Sequence, residues 1–134
     1  MRLLGLDVGI KKIGVAFCDT DIGIVFPREV ITVKDLKSSI GKIKEIVAKD
    51  RVDKVVIGLP LNFNSTKSKI QEYVEDFSNK LKEELNIDIE LFDERFTTRI
   101  AERFGVKNVD SVSAVILLED YIKAFLRGSG GCEI

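Results

Sequence analysis

The fold of this chain is decided near its start by Leu3-Leu4-Gly5-Leu6-Asp7-Val8-Gly9. An apolar run of this length is typical of a strand that is buried on both faces. Asp7 interrupts the run near its end, and an ionised carboxylate there needs a cation, a hydrogen-bond donor or water. The alternative is that Asp7 only caps a turn, and this stretch alone leaves both interpretations open.

The next run, residues 12–18, is predicted to pair with the first strand as a hairpin, because Gly9 suits a chain reversal. Alternation along the run separates large from small side chains. The large residues on one face are Ile13, Val15 and Phe17, and the small residues on the other are Gly14, Ala16 and Cys18.

Length and composition indicate an ordinary globular protein, and the cysteine usage fits a reducing cytoplasm. The 134 residues predict a single domain over 1–127 followed by a flexible tail, 128–134. The net charge of −1 provides no global field for nucleic acid or membrane, so a polyanionic partner requires a local basic patch. No apolar run approaches the length of a membrane span. Cys18 and Cys132 do not have the spacing of a metal or redox site.

The chain contains no histidine. This absence excludes Ser–His and Cys–His catalytic pairs and imidazole zinc sites. Any chemistry must therefore rest on carboxylates, lysine, arginine, hydroxyl groups or the two thiols.

Hydrophobic periodicity gives the remaining elements. The sequence predicts a strand over 23–31, a helix over 35–49, a strand over 52–60, a helix from 68 to 86, a strand over 87–92, a short helix from 97 or 98 to 104, and a last helix from 108–110 to 126. Pro27 lies inside the third strand, which should therefore lie at a sheet edge or be broken there.

This order of elements predicts the sheet. Three opening strands joined by tight turns form an antiparallel meander, and the later strand–helix–strand steps add two parallel strands through right-handed crossovers. The result is a ribonuclease-H-like α/β fold, in which a mixed five-stranded sheet has helices on both faces.

Three acidic residues fall at element ends on one predicted side of the sheet. Asp7 lies on the first strand, Glu94 follows the last strand, and Asp110 stands at the start of the last helix. Converging carboxylates without histidine or cysteine form a hard oxygen site for Mg²⁺ or Mn²⁺, which suits phosphodiester hydrolysis. Taken singly, Asp110 is also an ordinary helix N-cap, and Glu94 is also an ordinary solvated turn residue.

Basic residues surround this predicted acidic site. Arg95, Arg99 and Arg103 are spaced by four and would line one side of the short helix, where like charges favour an external anion. Lys11 and Lys12 at the first turn, together with Lys67 in the 62–67 loop, would extend a rim suited to a phosphate backbone. A solvated helix surface is the alternative for the arginines.

Five motifs together resemble the YqgF family of Holliday-junction-resolvase-like nucleases, which are also described as pre-16S rRNA processing nucleases. They are Gly5-Leu6-Asp7-Val8-Gly9, Ile13-Gly14-Val15-Ala16, Gly58-Leu59-Pro60-Leu61, Asp93-Glu94-Arg95-Phe96-Thr97-Thr98 and Val109-Asp110-Ser111-Val112-Ser113-Ala114. The match covers nearly the whole chain in the family's order. The resemblance implies that Asp7, Glu94 and Asp110 bind catalytic metal and that Arg95 and Thr98 support the site.

The sequence leaves several alternatives open. Among nucleases, precursor 16S rRNA and a branched DNA junction both fit as substrates, and the chain could act as a monomer or a homodimer. A module that binds nucleic acid or ribosomes without catalysis is a second class. Actin-like ATPases and sugar kinases share the opening Gly-x-Asp-x-Gly hairpin, but their cleft needs two such folds.

Overall fold

The computed structural model describes residues 1–59, 69–93 and 109–127. The strands in these ranges are β1 (Arg2–Val8), β2 (Lys12–Asp19), β3 (Ile24–Pro27), β4 (Ile31–Thr32), β5 (Lys54–Leu59) and β6 (Asp88–Asp93). The helices are α1 (Leu36–Asp50), α2 (Lys69–Glu84) and α3 (Val109–Ile122), and a π-helical segment (Lys123–Arg127) continues α3. The predicted short helix over 97–104, the 62–67 loop and the 128–134 tail lie outside the described residues.

The strands form one mixed sheet in the order β3-β2-β1-β5-β6, with β4 also paired to β2. The β1–β2 and β2–β3 pairs are antiparallel, whereas the β1–β5 and β5–β6 pairs are parallel. The predicted antiparallel meander and the two added parallel strands are therefore confirmed. β1 is the central strand and pairs with β2 on one side and β5 on the other.

The third predicted strand is divided, so the described sheet has six strands rather than five. β3 ends at Pro27, which has no N–H to donate to the ladder. The Arg28 N–H still donates to the Val15 carbonyl at 2.7 Å. The chain then leaves the ladder, and β4 rejoins it opposite Lys12 and Ile13.

Helices cover both faces of the sheet, as predicted. On one face, α1 and α2 pack over a core that includes Leu4, Leu6 and Val8 of β1. On the other face, α3 packs over a smaller core that includes Leu3 of β1. The alternation of β2 is also confirmed, because the core beneath α1 and α2 contains Ile13 and Val15 and the core beneath α3 contains Ala16 and Cys18.

The first helix has ordinary ends. The Asp35 side chain accepts a hydrogen bond from the Ser38 N–H at 2.7 Å, which caps the amino-terminal end of α1. Arg51 closes the other end in the left-handed conformation.

None of the helices in the described ranges is long and apolar enough to cross a membrane.

Candidate active site

Asp7 lies on the central strand, one residue before its end. Leu4 and Leu6 belong to the core beneath α1 and α2, whereas Leu3 belongs to the core beneath α3. Because side chains alternate along a strand, Asp7 shares the α3 face with Leu3 and Gly5. Unlike these apolar neighbours, Asp7 is only partly buried. It is therefore a carboxylate that solvent can reach at the carboxyl end of the central strand.

Gly5 allows α3 to approach β1 closely. A Cβ atom at this position would lie 2.6 Å from Cγ of Leu118, which is fully buried on α3. That separation is well inside the ~3.5–4.0 Å of an ordinary carbon–carbon contact. The absence of a side chain at residue 5 thus sets the distance between the helix and the strand that carries Asp7.

α3 runs antiparallel to β1. Leu118 lies over Gly5, whereas Ile122 lines a pocket with Val25. Across β2, Val25 is level with Leu3 in the sheet register. Moving from residue 122 back to residue 118 on α3 therefore moves forward along β1.

This direction brings the amino-terminal end of α3 to the carboxyl end of β1. Asp7 is two residues beyond Gly5, or roughly 6.6 Å along the strand. A helix rises about 1.5 Å per residue, so the level of Asp7 corresponds to about residues 113–114 of α3. Asp110, the second residue of α3, is about one helical turn further on.

The end of β6 reaches the same edge of the sheet. Ile57 of β5 pairs with both Leu6 and Leu91, so the next residues, Asp7 and Phe92, are level with each other on two strands that flank β5. β6 ends at Asp93. Glu94 follows it directly in the sequence but lies outside the described residues.

Two lysines follow Asp7 closely in the sequence, one in the turn after β1 and one at the first position of β2. Lys11 and Lys12 are both exposed. The Gly9 N–H donates to the Lys12 carbonyl at 2.9 Å, and a Cβ atom on Gly9 would lie 2.8 Å from that oxygen. The Lys11 carbonyl accepts a hydrogen bond from the Val33 N–H at 2.8 Å, which ties the turn to the start of the chain segment leading to α1. The turn is thus held by backbone contacts, and both ammonium groups remain exposed.

The described residues contain only part of the predicted site. Asp7, Lys11, Lys12 and the backbone at Asp110 lie at one edge of the sheet, but the Asp110 side chain is not among the described side chains. Outside the described ranges lie Glu94, Lys67, Arg95, Thr98, Arg99 and Arg103. Among the side chains that are described, no group of three Asp, Glu, Cys or His residues could hold a metal ion. The three-carboxylate site therefore stays a prediction.

A polar network that the sequence analysis missed fastens the other end of α3. The Tyr121 hydroxyl donates to Oε1 of Glu90 at 3.0 Å, and Nζ of Lys54 lies 2.6 Å from the same oxygen. Burial lowers the pKa of Lys54, but hydrogen bonds to Glu90 and Tyr121 outweigh it and hold the pKa above the usual lysine value. Burial also raises the pKa of Tyr121. From the sequence alone, Lys54 is only a lysine at the start of a buried strand, and Glu90 is only a glutamate in a strand of alternating polar and apolar residues.

Two buried hydroxyl groups were also missed. Ser78 on α2 and Ser113 on α3 are almost completely buried, and neither side-chain oxygen has a hydrogen-bond partner among the described residues. Ser113 follows Asp110 by three residues, so the two positions lie on neighbouring parts of the α3 surface. That spacing could have singled out Ser113 from the sequence.

An apolar groove between two helices lies away from Asp7. It has a volume of about 440 Å³ and runs between α1 and α2, on the opposite face of the sheet. Leu36, Ile40 and Gly41 form part of its lining, with three lysines and Glu84 at its sides. The Lys44 ammonium already pairs with Glu84 at 3.1 Å. This groove brings no carboxylate cluster together and is not the candidate active site.

Sequence comparison matches residues 1–124 to the family described as "RuvX: Holliday junction resolvase". A protein of Caldanaerobacter subterraneus subsp. tengcongensis named "Putative pre-16S rRNA nuclease" is 41% identical over 133 residues, which cover 91% of this chain and 96% of that protein. A Bacillus cereus protein of the same name is 34% identical over 134 residues, which cover 91% of this chain and 98% of that protein.

Structural comparison finds the same fold in resolvases. Thermus thermophilus RuvC in complex with a Holliday junction substrate superposes with a TM-score of 0.56 at 13% identity, covering 93% of this chain and 96% of that one. The fowlpox virus Holliday junction resolvase gives a TM-score of 0.56 at 14% identity, covering 94% of this chain and 100% of that one. At these identities the likeness shows a common ribonuclease-H-like fold.

Proposed function

The chain belongs to the RuvX family of Holliday junction resolvases, and we propose that it is a metal-dependent nuclease that processes the 5′ end of precursor 16S rRNA. Family membership confirms the resemblance drawn from the sequence motifs and identifies the chain as a nuclease that acts on phosphodiester bonds. The proposal concerns the substrate, the metal and the residues that act.

One observation carries the assignment of the active site. Asp7 is a partly exposed carboxylate at the carboxyl end of the central strand, on the face where α3 begins. In open α/β sheets, ligands bind beyond the carboxyl ends of the strands. An aspartate that served only packing would have little reason to interrupt a buried strand at that edge.

We propose Asp7, Glu94 and Asp110 as the catalytic carboxylates and as the ligands of Mg²⁺ or Mn²⁺. The donor chemistry fits these hard cations, because the chain has no histidine and Asp7 offers carboxylate oxygens. When bound, such an ion activates water and stabilises the leaving oxygen of a phosphodiester. In this proposal the protein holds one carboxylate near the end of β1, one directly after β6 in the sequence and one at the start of α3.

Basic residues at the same edge are proposed to hold the nucleic-acid backbone. Lys11 and Lys12 are exposed on the turn that follows Asp7. Phosphate contacts of this kind position a nucleic acid without reading its sequence. The further residues assigned to this interface are Lys67, Arg95, Thr98, Arg99 and Arg103.

Precursor 16S rRNA is preferred over branched DNA because of the relatives at higher identity. Proteins 34–41% identical to this chain carry the pre-16S rRNA nuclease name, whereas the junction-bound structures are 13–16% identical and support the fold alone. Cleavage of a Holliday junction is the second candidate, because the matched family is described by that activity. Either substrate is compatible with a cytoplasmic protein acting as a monomer or a homodimer.

The decisive experiment offers both substrates side by side. A 5′-extended small-subunit rRNA precursor and a four-way DNA junction are incubated with the protein in magnesium, in manganese and in excess chelator. We expect metal-dependent cleavage of the RNA, abolished in Asp7→Asn. The control Asp76→Asn removes an exposed carboxylate from α2, on the opposite face, and should leave cleavage intact.

Thermal melts separate a catalytic Asp7 from a structural one. Asp7→Asn removes one of the clustered negative charges, so the metal-free variant should melt at the same temperature as the parent or higher. Magnesium at about 100 times its Kd should stabilise the parent by ~2.7 kcal/mol, with a much smaller effect on the variant. A lower metal-free melting temperature together with an undiminished metal response would identify Asp7 as a structural residue.

Other outcomes would replace the proposal. Junction cleavage without RNA cleavage would favour the resolvase. Full cleavage in excess chelator would contradict the metal-dependent mechanism. Tight RNA binding without cleavage in either metal would favour a non-catalytic binding module.

A further inference from the structure

Ser113 is a buried polar group for which the fold itself gives no explanation. Its side chain is 0% exposed, and its hydroxyl has no hydrogen-bond partner among the described residues. Burying a hydroxyl without a hydrogen bond is unfavourable, so a group of this kind calls for a functional explanation. An alanine would fill nearly the same space without that cost.

The backbone places Ser113 at the level of Asp7. Leu118 of α3 covers Gly5, and α3 runs antiparallel to β1. Ser113 is five residues before Leu118, or about 7.5 Å along the helix. Asp7 is two residues beyond Gly5, or about 6.6 Å along the strand. Ser113 also precedes Leu117 by four residues, and Leu117 packs in the core beneath α3, so Ser113 lies on the helix face that covers the sheet. Ser113 and Asp7 therefore both belong to the layer between α3 and the sheet, near the edge at which α3 begins.

We propose that Ser113 is a positioning residue whose hydroxyl donates a hydrogen bond to the Asp7 carboxylate in the metal-bound protein. The inference rests on the proposed function, because it concerns the arrangement of a metal-binding carboxylate. Each carboxylate has several acceptor positions, so one oxygen can face a cation while the group also accepts a hydrogen bond. Such outer hydrogen bonds orient the ligands of a metal site and strengthen metal binding.

The chain supplies a matched control. Ser78 is also buried and without a hydrogen-bond partner among the described residues, but it lies on α2, on the opposite face of the sheet. Ser113→Ala and Ser78→Ala each remove one unpartnered hydroxyl and change the volume by the same amount. In the absence of metal, neither variant should melt below the parent.

The readout is manganese binding, measured by titration calorimetry on the parent and both variants. We expect Ser113→Ala to weaken Mn²⁺ binding about tenfold, the lower end of the range for outer-shell substitutions. Ser78→Ala should bind Mn²⁺ like the parent. In cleavage assays, Ser113→Ala should need about tenfold more Mn²⁺ for half-maximal activity.

Three results would overturn the inference. Unchanged Mn²⁺ affinity in Ser113→Ala would show that the hydroxyl does not act on the site. Equal weakening in Ser78→Ala would show that the effect is not local to Asp7. A lower metal-free melting temperature of Ser113→Ala, with Mn²⁺ affinity unchanged, would make the serine structural. A parent that neither binds Mn²⁺ nor cleaves nucleic acid would instead overturn the proposed function and, with it, this inference.

Discussion

Replacing Gly5 by alanine places a methyl group where α3 packs tightly against β1. The new Cβ atom would lie 2.6 Å from Cγ of Leu118 and 3.2 Å from both Cδ atoms. Leu118 is fully buried, so it cannot swing into solvent. The contact is relieved only if α3 moves outward by roughly 1 Å, judged against an ordinary carbon–carbon separation.

The expected cost follows from this overpacking. Extra methyl groups in a filled core cost about 1–3 kcal/mol. The entropy of unfolding of a 134-residue chain is about 0.3 kcal/mol per kelvin, so Tm should fall by roughly 4–10 °C. Cleavage activity should fall further than the folded fraction of the protein. Moving α3 would separate the proposed catalytic residues Asp110 and Asp7, and ~1 Å of misplacement can cost about 100-fold in rate.

The matched control makes the same chemical change where there is space. Gly41 lies inside α1, and a Cβ atom there would have no neighbour within 4 Å. Gly41→Ala should therefore raise stability by about 0.5–1 kcal/mol, the usual gain for alanine over glycine in a helix. Both variants are compared by thermal and urea unfolding, and cleavage is measured well below the transition, where both remain folded.

A double mutant tests whether Leu118 is the cause. Leu118→Ala alone should cost about 2–5 kcal/mol by leaving a cavity, and the alanine at residue 5 should partly fill it. The double variant should then lose less unfolding free energy than the sum of the losses in the two single variants. A Gly5→Ala variant as stable as the parent, or strict additivity with Leu118→Ala, would refute this account of the α3–β1 contact.

Two further predictions concern charge. Lys11→Ala and Lys12→Ala should each weaken nucleic-acid binding and reduce the slope of log affinity against log salt by about 1. The control Lys82→Ala, on the opposite face, should change neither quantity. Equal slopes in all three variants would exclude Lys11 and Lys12 from the interface. Because the pKa of Lys54 is raised in the folded protein, its ion pair should increase the free energy of unfolding fully at pH values below the ordinary lysine pKa of about 10.4. This contribution should be lost as pH rises through the folded-state pKa. Urea unfolding at pH 8 and pH 11 should therefore show a greater loss in the parent than in Lys54→Met, and equal losses would count against the pairing with Glu90.

Local patterns predicted most of the elements. The apolar run containing Leu6 forms the central strand, as predicted. The face of β2 that carries small side chains, including Ala16 and Cys18, lies beneath α3. Pro27 marked the break in the third strand, although the pairing of Ile31 as a separate strand β4 was not predicted. That pairing depends on where the chain returns after Arg28, which no local pattern records.

Contacts between distant elements could not be predicted. The network of Lys54, Glu90 and Tyr121 joins β5, β6 and α3, and each residue taken singly has an ordinary place in its own element. The same limit applies to the unpartnered hydroxyl of Ser113, since its burial depends on how closely α3 approaches the sheet. The predicted α-helix to residue 126 also ends differently, because α3 changes to a π-helix at Lys123.

The position of Asp7 depends on the apolar residues beside it. Leu4, Leu6 and Val8 fill the core beneath α1 and α2, and this fixes the opposite face for residues 3, 5 and 7. A shift of one residue in register would send these leucines beneath α3 and turn Asp7 into the larger core, where an ionised carboxylate is strongly disfavoured. The packing that stabilises the sheet therefore also selects the face on which Asp7 meets the start of α3. Leu6→Ala should consequently weaken Mn²⁺ binding in a calorimetric titration as well as lower Tm, even though Leu6 lies on the face away from the proposed site.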